Sequence, residues 1–318
     1  MKYVTLMLLV GIACLAALAG CKSDTESGKP RIALIYKATT NPFFQAMETG
    51  AREKAKALGV ALEPAGIESE TDVDRQADLV RNMVNRRVGA IIIAPASSRG
   101  IITPLLRAQA IGIPIINIDN RIDPDEAAKQ GLKIATFIGP DNFEGARLVG
   151  AYACDLIKRK LGPGKTGRVL ILRGIDGVEN AEARRRGFEA AVKDAGFVIV
   201  GSESANWHSE EAQQATAAML AANPEVHGIL CANDKMALGA ISAAKARGRI
   251  GEIVIVGYDN IDLAREAIKR GEMQATVEQN PAMMGALGVE CALKALRGEK
   301  LPEVTPVPVK LVTPEEVK

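Results

Sequence analysis

The sequence predicts an α/β protein of two similar lobes, each a parallel sheet covered by helices. Three observations lead there. From Arg31 onward, short β-branched runs alternate with amphipathic stretches of helix length, and strands separated by whole helices pair in parallel through right-handed crossovers. The pattern also repeats: Arg31–Tyr36 and Arg168–Arg173 open similar units, followed at the same spacing by Gly50-Ala51 and Gly187-Phe188, then by Gly59-Val60 and Gly196-Phe197. Further on, Ile113–Asn120 parallels Ile253–Asn260, and three matches in one order argue for two copies of one lobe. Finally, aromatics are 3% of the 318 residues while 47% are hydrophobic, so the cores are aliphatic, as in sheets buried on both faces.

Residues 31–36 form the first strand, and a helix follows over 42–58. Pro42 suits a first helical position, where its missing N–H would be unpaired anyway. Phe43, Met47, Ala51 and Ala55 recur every four residues as the buried stripe of that helix. Val73, Ala77, Val80 and Val84 mark the next helix, and 89–94 and 113–118 are continuous apolar strands. In the second copy the strands are 168–172, 197–201, 226–231 and 253–257, and the helices 180–195, 209–222 and 234–247. After Gln279-Asn280-Pro281 a helix spans 282–296, and Pro302–Pro308 is a stiff connector.

Ahead of the fold, Lys2 precedes the uncharged run Val4–Leu18 and then small residues, the pattern of a secretory signal. Leu18-Ala19-Gly20-Cys21 resembles the lipobox of bacterial lipoproteins. That resemblance implies removal of residues 1–20, lipid on Cys21, a polar tether over 21–30 and a location on the periplasmic side of the cell envelope. Cys14 leaves with the signal. Cys154, Cys231 and Cys291 remain, in apolar stretches and with no metal-ligand spacing, and read as buried thiols. Lys+Arg 40 against Asp+Glu 38 gives +2, which offers no electrostatic footprint for nucleic acid.

Ligands of open parallel sheets bind beyond the carboxyl ends of the strands, where helix N-termini point. Those loops are 37–41, 94–99 and 119–123 in one copy and 173–179, 232–235 and 258–261 in the other. In or beside them lie Lys37, Asn41, Phe43, Phe44, Asp119, Asn120, Asn180, Arg184, Trp207, Asn233, Tyr258 and Asp259. Aliphatic cores do not need aromatics there. Aromatic faces with planar amides and carboxylates are what a sugar ring requires: C–H faces to stack on and hydroxyls to pair.

The markers Asn41-Pro42-Phe43-Phe44, Ile118-Asp119-Asn120, Asn180–Arg184 before Gly187-Phe188, Ala232–Gly239, Val256–Asp259 and Ala275–Gln279 together resemble the periplasmic sugar-binding proteins of ABC transporters. The likeness is to the ribose- and galactose-binding branch, which shares the type I periplasmic binding protein fold with the lactose-repressor family. It implies two Rossmann-like lobes joined by a three-segment hinge, the first comprising 31–139 and 281–307 and the second 140–280 and 308–318. It implies that Asn41, Phe43 and Phe44 meet the sugar from the first lobe, with Asp119 bonding hydroxyls. Trp207 would stack from the second lobe, and Asn233, Asp259 and Gln279 would complete the hydroxyl network. Asn180 and Arg184 match the galactose pattern better than the ribose one. Glu182 stands where the ribose type has an arginine, and so does Asn120; both departures point away from ribose. Lys37 has no counterpart in the ribose pattern, though its loop can reach the cleft. The calcium loop of galactose binders has no analogue, so neither metal nor cofactor is expected.

The function implied is capture of a monosaccharide or related polyol by a monomeric lipoprotein, handed by hinge closure to an ABC permease and its ATPase. A sensory receptor of the same fold, feeding a membrane kinase or chemoreceptor, stays open as the alternative. A transcription factor would need a helix-turn-helix where the signal lies, and an enzyme a nucleophile–base pair. Gly162–Thr166 lacks the glycine of a phosphate loop, since position 159 is arginine, and it precedes a strand. His208 and His227 have no carboxylate partner in register. Arg185 and Arg186 read as a solvated helix face, while Arg184 shares a face with Asn180. Asp234 reads as a helix cap or as support behind the site.

Overall fold

The structure is a computed structural model that describes residues 28–317. The expected signal segment 1–20 with Cys14, the expected lipidation at Cys21 and the expected tether up to residue 27 lie outside the described residues. Arg31–Tyr36 (β1), Ala61–Gly66 (β2), Ala90–Ile93 (β3), Ile115–Ile118 (β4), Thr136–Gly139 (β5) and Val304–Pro306 (β11) form one parallel sheet in the order β11-β5-β4-β3-β1-β2. Arg168–Arg173 (β6), Val198–Ser204 (β7), Gly228–Cys231 (β8) and Val254–Val256 (β9) form a second in the order β7-β6-β8-β9. The orders 2-1-3-4 and 7-6-8-9 are the same topology, so the repeat in sequence is a repeat in space. Thr276–Glu278 (β10) pairs antiparallel with Lys310–Val312 (β12), whereas β11 joins the first sheet parallel to β5.

Helices intervene throughout: Pro42–Leu58 (α1), Val73–Asn85 (α2), Ile102–Ala110 (α3), Pro124–Gln130 (α4), Asn142–Leu161 (α5), Glu179–Asp194 (α6), Ser209–Ala222 (α7), Asp234–Ala246 (α8), Asp262–Lys269 (α9) and Pro281–Leu296 (α10). The repeated glycines have a packing reason. A Cβ on Gly50 of α1 would sit 2.1 Å from the Ala282 carbonyl oxygen of α10, and one on Gly187 of α6 2.3 Å from that of Phe143 in α5. Each glycine therefore lets two helices on the same face of a sheet touch backbone to backbone. Two hydrophobic clusters, on the two faces of the first sheet, and one around the second make up the core; they are mainly aliphatic, but Tyr36, Phe43 and Phe44 belong to one and Phe188, Phe197, Trp207 and Tyr258 to another, so the aromatics expected only at the site also serve the core.

Two expectations need correction. The segment 302–308 is not a bare connector: Val304–Pro306 is a strand at the sheet's edge, where proline's missing N–H costs no ladder bond. The other edge strand, β2, has no counterpart among the predicted elements, because Glu63-Pro64 interrupts its apolar run. The chain passes between the sheets after β5, after β10 and between β11 and β12. Cys154, Cys231 and Cys291 are buried free thiols, and burial holds the Cys154 thiol up at about 11.

Candidate functional site

Between the two sheets lies a small cavity lined by Lys37, Asn41, Phe43, Phe44, Glu70, Asp119, Asn180, Arg184, Trp207, Asn233, Asp259 and Gln279. Every lining residue sits beyond the carboxyl end of a strand or in the first turns of the helix that follows. Asp119 and Asp259, equivalent positions of the repeat, stand on opposite walls.

Local structure commits part of each amide and frees the rest. Asn41 and Asn233 are the N-caps of α1 and α8, their side-chain oxygens accepting from Phe43 N (3.1 Å) and Met236 N (2.8 Å). Their NH2 groups remain as donors at the wall. Asp119 (φ 62°), Trp207 (φ 67°) and Asp259 (φ 125°) hold backbone conformations that L-residues rarely adopt, local strain concentrated at the cavity.

Charge is arranged separately in each half. In the first, Lys37 Nζ lies 3.3 Å from Glu70 and 3.6 Å from Asp119, and 5.7 Å over the Phe44 ring. Phe43 and Phe44 meet edge to face at 5.0 Å. In the second, Arg184 donates to Asn142 Oδ1 (2.8 Å), the Ala232 carbonyl (2.8 Å) and Gln279 Oε1 (3.0 Å), and faces Asp259 at 3.6 Å. Gln279 Nε2 donates in turn to Asp259 Oδ1. The Arg184 guanidinium rests 3.9 Å from the Tyr258 ring centroid and 5.6 Å from that of Trp207. Burial pushes the Asp119 and Asp259 carboxyls up; Lys37 pulls Asp119 back most strongly, and Arg184 does so for Asp259.

Two lining side chains keep a buried polar atom without a hydrogen-bond partner among the described residues, Asn180 Oδ1 and Trp207 Nε1, while Asp119 Oδ2 has only the Lys37 ammonium at 3.6 Å. Leaving such atoms unpaired costs about 1–3 kcal/mol each. The wall is therefore poised to accept from and donate to a polyhydroxylated guest.

Three sequence candidates are not on the wall. Asn120 turns away, donating to the Pro95 carbonyl (3.0 Å) and accepting from Asn180 N (3.3 Å). Glu182 accepts from Gly177 N and pairs with Arg185, because its place on α6 faces the preceding turn. Tyr258 lies beneath Arg184, fully buried. The sequence reading missed Glu70, which follows β2; with that strand unrecognised, its carboxyl end went unread. Asp234 does not cap α8, since Asn233 does. Its carboxylate accepts from Thr276 Oγ1 (2.6 Å) and Ile261 N (3.0 Å), tying down the loop that carries Asp259.

Residues 32–300 match the family described as the periplasmic binding protein domain. The chain is 42% identical to the D-ribose/D-allose-binding protein of Pseudomonas aeruginosa over 90% of its own length and 89% of that protein's. It is 36% identical to the D-allose-binding periplasmic protein of Escherichia coli, covering 85% of each. A crystal structure of an ABC transporter periplasmic solute-binding protein from Actinobacillus succinogenes with bound D-allose superposes with a TM-score of 0.85 at 39% identity, covering 91% of this chain and 99% of that one.

Proposed function

The chain belongs to the periplasmic binding protein family, in its sugar-binding, ribose-type branch, and from that premise we propose that its interlobe cavity encloses one aldose, D-allose and D-ribose being the first candidates. The observation that carries this reading is the unpaired buried acceptor of Asn180 and donor of Trp207, set between the charged Lys37–Asp119 and Arg184–Asp259 pairs and beside the aromatic faces of Phe43 and Phe44. The relatives described as binding D-allose and D-ribose support the same choice, and because Asn120 and Glu182 lie off the wall, their departures from the ribose pattern do not weigh against D-ribose.

The two halves, 31–139 with 281–307 and 140–280 with 308–318, move as bodies about the three crossings. Closure strips water from the sugar, so each hydroxyl must find a protein partner. The carboxylates of Glu70, Asp119 and Asp259 accept, and Lys37, Arg184 and the Asn41 and Asn233 amides donate. A wrong epimer leaves one of these groups buried and unpaired, which is how such a site discriminates. The loaded, monomeric protein delivers its sugar to an ABC permease with its ATPase, held at the periplasmic side of the envelope by lipid on Cys21.

Trp207 is the sole tryptophan and lines the cavity, so its fluorescence tests the proposal directly. Titration with D-allose, D-ribose and a panel of other pentoses, hexoses and polyols is expected to give a saturable change with at least one aldose in the micromolar range or tighter. No response to any sugar refutes it.

A further inference from the structure

Helix α6 has no cap of its own. The residue at its N-cap is Val178, which has no polar side chain to offer the first-turn amides. By contrast α1, α2, α4, α5 and α8 are each capped by the Asn or Asp immediately before them. Two amides of its first turn are nonetheless satisfied, from across the cleft. Glu179 N donates to Ser98 Oγ at 3.1 Å and Asn180 N to Asn120 Oδ1 at 3.3 Å. Ser98 and Asn120 both belong to loops of the first sheet. Both are buried, at 4% and 0% exposure, so water does not compete for these bonds in this closed arrangement.

The acceptors are aimed in advance by their own half. Asn120 Nδ2 is tied to the Pro95 carbonyl, and Asn117 Nδ2 holds the Asn120 carbonyl at 2.8 Å while its Oδ1 accepts from Ile122 N. With its amide donors spent there, Asn120 Oδ1 points at α6. We propose that Ser98 and Asn120 form a latch: they cap α6 in trans only when the lobes are closed, stabilising closure without touching the ligand. They are positioning residues. This rests on the reading that the lobes open and close around a sugar.

The test is calorimetric titration of wild type, Ser98→Ala and Asn120→Ala with every sugar the wild type binds, with stopped-flow release rates and the melting temperature of ligand-free protein. A hydrogen bond of this kind predicts weakening of about 3- to 10-fold per variant. The factor is the same for all sugars, because the latch makes no contact with any of them. It shows in faster release, and for Ser98→Ala ligand-free melting is unchanged, because in the open form water takes the place of the missing acceptor; Asn120→Ala also loses its bond to the Pro95 carbonyl in its own lobe and melts lower, so its share of the latch is read from affinity and release. Unaltered affinity, or factors that differ from sugar to sugar, overturns the latch. Absence of sugar binding by the wild type overturns the proposed function instead, so the two failures are distinct.

Discussion

Arg184→Met removes the charge at the centre of the second half of the cavity while keeping most of the side chain's stem. In the closed form it leaves Asn142 Oδ1, the Ala232 carbonyl and Gln279 Oε1 without their donor, and Asp259 without a cation. Truncating one partner of a buried, hydrogen-bonded charge pair costs ~2–5 kcal/mol. Taking about 3 kcal/mol, sugar affinity falls roughly a hundredfold. The ligand-free protein loses less, about 1–2 kcal/mol, because opening lets water reach the abandoned acceptors. Adding Asp259→Asn removes the uncompensated charge, and the pair of changes is expected to be milder in stability than their sum by ~1–2 kcal/mol. Calorimetric titration reads the affinity and urea denaturation with and without sugar reads the stability. Sugar binding by Arg184→Met within about threefold of wild type refutes the argument that this network organises the site.

Gly50→Ala places a methyl 2.1 Å from the Ala282 carbonyl, so despite alanine's helix preference of ~1 kcal/mol it is expected to lower stability by about 1–3 kcal/mol, measured as the urea midpoint. His227 Nδ1 accepts from Arg168 N, and burial, reinforced by Arg249, holds its pKa below the ordinary 6.5. Because the unfolded chain takes up the proton first, the stabilisation is complete above about pH 6.5 and declines as pH falls toward the lowered folded value. Urea midpoints at about pH 7.5 and about pH 5 should therefore differ more in wild type than in His227→Gln; equal differences would show that this histidine does not titrate as described.

The strand–helix alternation and the duplication were legible because they reside in periodicity and in glycines whose spacing packing enforces. Gly50 and Gly187 matched in sequence, and in the fold they perform the same task of letting two helices touch. Edge strands were harder to read. Ala61–Gly66 and Val304–Pro306 carry prolines that an edge tolerates and a central strand does not, so local signals argued against elements that tertiary pairing creates. The cavity wall followed from the strand ends, which is why Asp119 and Asp259 could be placed together from a repeat alone. Direction could not be read. Asn120 and Asp119 are neighbours in one loop, yet the left-handed backbone at Asp119 sends one side chain to the cavity and the other to the opposing helix. Tyr258 was expected on the cavity wall, but it lies beneath the Arg184 guanidinium, a place that depends on three-dimensional stacking that spacing does not encode.

The central claim is that opposite walls, one from each repeat, grip a single sugar molecule. Calorimetric titration of D-allose and D-ribose into wild type, Asp119→Ala and Asp259→Ala tests it most directly. The account predicts one sugar per wild-type chain and affinity reduced at least tenfold by either substitution, about 1.4 kcal/mol or more. Binding that either variant leaves intact, or no heat from either sugar, contradicts it.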